Sequence, residues 1–109
     1  MKEIISELIE FREERNWKQF HNPKDLAVSV TLEAAELLEN FQWKSSEEAL
    51  NENKEKIKDE LADVLIYSLL LANELEFDVV DILKNKIQKN RKKYPVEKAY
   101  GVNTKYTDL

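Results

Sequence analysis

Between Lys2 and Trp17 the apolar positions Ile4, Ile5, Leu8, Ile9 and Phe11 recur at the spacing of an amphipathic helix. Gln19-Phe20-His21-Asn22-Pro23 interrupts the pattern. Asn22 suits an N-cap and Pro23 the first helical position, so a second helix is expected from Pro23 to about Trp43. Lys44-Ser45-Ser46 ends it, and Ser45 with Glu48 has the form of a capping box for a short helical turn near Ser46–Leu50. Asn51-Glu52-Asn53 predicts a break before a long helix over about Lys54–Leu75. Asp78 is placed to cap a fourth helix carrying Val79, Val80, Ile82, Leu83 and Ile87, which stops before Tyr94-Pro95. The tail over 95–109 has no clear periodicity. The pattern predicts an all-α fold, one domain over 1–109, with four main helices in an antiparallel bundle. Val64–Ala72, VLIYSLLLA, is apolar nearly all round and needs cover on every side. Four helices cannot easily supply it, so a homo-oligomer, dimer or tetramer, is expected to complete the bundle.

Composition narrows the classes. One Gly and two Pro in 109 residues leave little turn material and favour helices over sheet. A formal net charge of −5 argues against a dedicated nucleic-acid or membrane binder. The absence of Cys excludes disulfides, thiol nucleophiles and Cys-based zinc sites. The N-terminal stretch mixes acids into its apolar residues, unlike a signal-peptide core, and the apolar run in Val64–Ala72 falls short of the ~20 residues that span a bilayer. A cytoplasmic location is expected.

The chemistry concentrates in LEAAELLE and DELADVLIY. Glu33 and Glu36, and likewise Glu60 and Asp63, lie three residues apart and share a helix face among apolar neighbours. Carboxylates gathered near an apolar interior repel one another and resist ionisation unless a cation collects them. An all-oxygen set suits a hard ion, Mg²⁺ or Mn²⁺; the alternative is an ordinary solvated acidic face. Glu39 lies off the Glu33–Glu36 face. His21 belongs to neither pair, which argues against a di-iron site built on Glu-x-x-His. Trp17, Phe20, Phe41 and Trp43 stand near helix ends, either as packing or as a stacking platform for a flat ligand. Tyr67 follows Asp63 by one turn and shares its face. Lys84–Lys93 is cation-rich, as helix C-termini often are, yet Lys86 could neutralise a phosphate chain and Asn90 shares its face.

These residues resemble the MazG-like nucleoside triphosphate pyrophosphohydrolases, whose E-x-x-E … E-x-x-D magnesium motif reads here Glu33-Ala-Ala-Glu36 and Glu60-Leu-Ala-Asp63. The stretches ERNWKQFHNP, ELLENFQWK, DELADVLIY, NRKKYP and KYTDL are similar to the dCTP pyrophosphatase branch and cover most of the chain. The resemblance implies hydrolysis of a nucleoside triphosphate to monophosphate and pyrophosphate. It implies Mg²⁺ on Glu33, Glu36, Glu60 and Asp63, and nucleotide contacts from Trp17, Trp43, Tyr67 and Asn90. It also implies a dimer or tetramer with the site between subunits. Some members begin the first motif with Glu-Glu; here Leu32 precedes Glu33, which removes one candidate base. Glu36 is the candidate to orient or deprotonate the attacking water, a role open to any of the four carboxylates. Two other readings fit the residues: a non-catalytic helical interaction module, and a hydrolase of another pyrophosphate-containing nucleotide.

Overall fold

A computed structural model describes all residues, Met1–Leu109. The elements are α1 (Lys2–Glu14), α2 (Pro23–Glu39), α3 (Ser46–Glu74), α4 (Val79–Lys93) and α5 (Val96–Ala99), with 3₁₀ turns at Lys18–Phe20 and Tyr106–Asp108. There are no strands, so the all-α reading with four main helices holds. No helix is long and apolar enough to cross a membrane. The chain divides into two compact units, Met1–Phe77 and Asp78–Leu109.

The helix starts follow from local chemistry. The Asn22 carboxamide oxygen accepts from the Asp25 amide, with Pro23 in the first turn where no intrahelical donor is required. Ser45 and Glu48 form the reciprocal capping box, each side chain accepting from the other's amide. The Asp78 carboxylate accepts from the Asp81 amide.

Two helix ends come earlier than the apolar spacing predicts. α1 stops at Glu14 rather than Trp17 because Asn16 turns left-handed, φ 54°. The Trp17 amide then donates back to the Arg12 carbonyl and the Asn16 amide to that of Glu13, a Schellman closure. Asn tolerates this conformation through local hydrogen bonding, so the stop needs no glycine. Glu76, φ 59°, closes α3 in the same way, with the Phe77 amide on the Ala72 carbonyl. α2 ends at Glu39 rather than Trp43: Asn40–Lys44 is a turn in which Trp43 itself has φ 63°, incompatible with a right-handed helix.

α3 runs through the break expected at 51–53. A kink at Asn53, φ −124°, replaces a full interruption. The cause is a long-range bond: Asn53 Nδ2 donates to the Asn40 carbonyl at 3.0 Å, satisfying a carbonyl left over at the end of α2. This bond sets the register of the α2–α3 hairpin. Seven residues back from Asn40 is Glu33, and seven forward from Asn53 is Glu60, so both lie about 10 Å from the anchor and at one level.

α2 packs chiefly on α3, with α1 laid against α3 as well. The buried apolar residues of the first unit are few: Leu26, Ala49, Leu70 and Ala72. Leu26, 1% exposed, contributes about 1.5–3 kcal/mol by burial. Within Val64–Ala72, Ser68 satisfies its hydroxyl on the Val64 carbonyl at 2.7 Å, which lets a polar residue sit in that run. Leu70 and Ala72 are covered by their own chain, while Leu61 and Leu65, one turn apart, remain exposed. In the second unit Tyr94 meets Tyr106 edge-on at 5.9 Å and the Lys93 ammonium lies 4.7 Å from the Tyr106 ring centre. The tail is thus ordered by contacts that sequence periodicity does not report.

Candidate metal centre and adjoining cavity

The shared level of Glu33 and Glu60 brings three carboxylates together. One oxygen from each of Glu33, Glu36 and Glu60 lies within 4.8 Å of the others. Glu33 Oε2 and Glu60 Oε2 are shut off from solvent and have no hydrogen-bond partner. No Lys or Arg forms an ion pair with any member of the trio. Burial raises the Glu33 pKa to about 7, helped by contact with Glu36 and repulsion from Asp63 and Glu60. Glu60 is raised for the same reasons, burial first and then Glu36 and Asp63. Asp63 stands outside the trio but adds its charge to the cluster's field.

Asp63 also lines a cavity of about 470 Å³, together with Trp17, His21, Tyr67, Arg12 and a set of apolar side chains that includes Phe11 and Leu70. The Schellman closure of α1 places Trp17 here, edge-on to Phe11 at 5.7 Å, with the Arg15 guanidinium 3.8 Å over the Phe11 ring. His21 meets Tyr67 edge-on at 6.4 Å. Burial, with the Glu33, Asp63 and Glu36 charges, raises the Tyr67 pKa, so its phenol stays a hydrogen-bond donor. Burial lowers the His21 pKa, Arg12 adding to the effect and Glu74 opposing it, which keeps the imidazole neutral near pH 7.

Residues 28–109 match the profile of the MazG-like family. The chain belongs to the MazG-like family. It is 40% identical over 105 residues to dCTP pyrophosphatase 1 of Mus musculus and 37% identical over the same length to that of Homo sapiens. These alignments cover 92% of this chain and 62% of each relative's length. The crystal structure of a pyrophosphatase from Archaeoglobus fulgidus superposes with a TM-score of 0.82 at 46% identity, covering 87% of this chain and 92% of that one.

On this MazG-like scaffold the residues singled out by sequence fall into three groups. Glu33, Glu36 and Glu60 converge, with Asp63 bridging to the cavity. Trp17 and Tyr67 line that cavity, but Trp43 does not: it stands 92% exposed on the α2–α3 turn. Lys86 and Asn90 lie one turn apart on exposed α4, in the second unit. Glu39 is exposed at the end of α2. Sequence reasoning missed Phe11, Arg12 and Leu70 as cavity residues and treated His21 as a loop residue. The signal for Arg12 was faint: a lone basic residue directly after Phe11 in α1, at helical spacing from Leu8 and Ile5.

Proposed function

We propose that this MazG-like chain is a divalent-metal-dependent pyrophosphohydrolase that converts a (deoxy)nucleoside triphosphate, dCTP or a related dNTP, to monophosphate and pyrophosphate. The observation that carries this reading is the join of two features at Asp63 and Tyr67: a carboxylate cluster paired with no Lys or Arg and a largely apolar cavity walled by Trp17. A triphosphate needs the first and a nucleobase the second. The names of the dCTP pyrophosphatase relatives and of the archaeal pyrophosphatase support the same chemistry.

The donor set fits Mg²⁺ or Mn²⁺: all oxygen, anionic, with two buried oxygens lacking any partner. Glu33, Glu36, Glu60 and Asp63 would hold it. When bound, the ion supplies charge neutralisation and polarisation of the phosphoryl group under attack. Glu36, the exposed member of the trio, orients or deprotonates the attacking water. Tyr67 donates its hydroxyl toward the phosphates. Trp17 stacks on the base, and Trp43 is assigned to the nucleotide as well. An exposed Trp held at φ 63°, with about 1–3 kcal/mol of backbone strain and no burial to offset it, supports that assignment. Asn90 is assigned to ligand hydrogen bonding on the family resemblance, and Lys86, one turn before it, to the phosphate chain on its charge.

The same reading includes a cytoplasmic homo-oligomer. Val28 with Leu32 on α2, and Leu61 with Leu65 on α3, are apolar pairs one turn apart and exposed. Leu65→Glu is the probe of assembly, since Leu70 is already buried within its own chain. Light scattering at micromolar concentration is expected to give a dimer or tetramer for the wild type and a smaller species for Leu65→Glu; a monomeric wild type overturns the assembly. The function itself is tested by incubating a panel of nucleoside triphosphates with Mg²⁺ and measuring pyrophosphate and monophosphate. Release from a deoxynucleotide is expected; no pyrophosphate from any nucleotide overturns the reading.

A further inference from the structure

Arg12 is the one buried charged side chain of the protein, 2% exposed, in the last turn of α1. Opposite it stands Glu74, the last residue of α3, with Oε2 3.6 Å from Arg12 Nη1. That is an ion pair, too long for a hydrogen bond. No hydrogen bond joins α1 to α3, so this pair is the single polar link between the two helices. Beside it the two helices face one another with apolar side chains, Ile4, Leu8 and Phe11 from α1, Ile66 and Leu70 from α3. Apolar attraction is non-directional, and apolar packing loses a unique arrangement before it loses stability. A buried ion pair adds little stability, because desolvation offsets most of the attraction between its charges. What it adds here is register. Sliding α1 along α3 would leave a guanidinium buried without its counter-charge.

The cavity wall hangs from the same residue. The Arg12 carbonyl accepts from the Trp17 amide at 3.1 Å, and the Trp17 carbonyl accepts from the Phe20 amide at 2.9 Å. The His21 amide follows, donating to the Lys18 carbonyl at 3.0 Å. The side chain of Arg12 is thus tied to α3, and its backbone to the turn that carries Trp17 and His21 onto the cavity. We infer that Arg12, paired with Glu74, is a positioning residue that sets the register of α1 on α3 and so fixes where Trp17 and His21 stand in the cavity wall. This deepens the nucleotide reading given above and rests on it only for the effect on KM. The pairing works through charge rather than through the fork of the guanidinium, whose Nε and Nη1 are buried with no acceptor. A lysine should therefore serve in its place, and an uncharged side chain of similar length should not.

The test reads Trp17 directly. Trp43→Phe leaves Trp17 as the one indole of the chain, and its fluorescence reports its placement without any nucleotide. In that background Arg12→Met with Glu74→Gln removes both charges together. This double variant should melt close to its parent, since an apolar residue replaces a buried ion pair with little loss of stability. Its Trp17 emission should nonetheless shift, and acrylamide should quench it more readily. Arg12→Lys should keep the parent's signature. With Trp43 in place, the double variant should raise KM about fivefold or more, the low end for a weakened stacking contact, with the loss on KM rather than on kcat. If the double variant fails to fold, Glu74→Gln alone breaks the pair from its partly solvated side and should move Trp17 likewise. An unmoved Trp17 in a folded variant lacking the pair overturns the inference, as does an Arg12→Lys that moves it as far as loss of the pair. A moved Trp17 with unchanged KM takes Trp17 out of the nucleotide reading and supports the positioning. Absence of pyrophosphate release by the wild type overturns the hydrolase reading and leaves the fluorescence comparison standing.

Discussion

The two ends of the site are incomplete in different ways. Around Glu60 three carboxylates lie within 4.8 Å of one another with no Lys or Arg paired to them. At Glu74, fourteen residues further along α3 and about 21 Å along its axis, a buried guanidinium has its counter-charge but not its hydrogen bonds. The first deficit is one of charge, so ions and pH should act on it. The second is one of acceptors around a charge that is already paired, so substitution of Arg12 or Glu74 should act on it.

The largest expected effect separates the ends most sharply. Glu60→Gln removes one charge from the cluster with little change of shape. Metal-dependent hydrolysis should fall at least about a hundredfold, beyond the 10–100-fold typical of losing an outer-shell partner. The melting temperature in metal-free buffer should be equal or higher, because repulsion is relieved. Full turnover at ordinary Mg²⁺ would remove Glu60 from the site.

Next in size is the response of the folded state to metal and pH. Mg²⁺ at about a hundred times its Kd should stabilise the wild type by about 2.7 kcal/mol, and Glu60→Gln by less. Without metal, Glu33 titrates at about 7 against an ordinary value of 4.5. Between those values the folded state binds more protons than the unfolded state. This contribution to stability is therefore complete below about pH 4.5 and lost as pH rises through about 7. Denaturant midpoints across that window should decline for the wild type and decline less for Glu33→Gln. Identical slopes would break the contrast between a charge-deficient end and a charge-balanced one.

At the cavity end, Trp17→Ala should weaken nucleotide binding by ~1–3 kcal/mol while the protein stays helical by circular dichroism. Trp43→Ala, at an exposed turn, should leave stability untouched and cost affinity in the same range. Unchanged affinity in Trp43→Ala would leave stacking to Trp17 alone. The smallest effect belongs to the anchor that relates the two helices: Asn53→Ala should cost about 1 kcal/mol in urea unfolding, the worth of one side-chain hydrogen bond. Because the Asn53 bond sets the level of Glu60 against Glu33, it should also reduce activity out of proportion to that loss.

The helix starts at Pro23, Ser46 and Val79 were legible because each cap is local: Asn22, Ser45 with Glu48, and Asp78 satisfy amides three residues away. The carboxylates were legible for the same reason, since three-residue spacing on a helix fixes a shared face without reference to anything else. The stops of α1 and α2 were not, because Asn16 and Trp43 turn left-handed without the glycine that usually announces it, whereas α3 and α4 end where expected, near Leu75 and before Tyr94. The kink at Asn53 was half legible. Its polar residues mark a weak point, but the partner carbonyl at Asn40 is thirteen residues away and enters only when α2 and α3 pair. Arg12 was only faintly marked in the sequence, by its helical spacing from Leu8 and Ile5. A basic residue on an amphipathic helix is ordinarily solvated, and what makes this one buried and short of acceptors is the packing of α1 on α3, which brings Glu74 within reach. Chemistry set by spacing along one helix could be read from the chain; chemistry set by which helix lies against which was decided only in three dimensions.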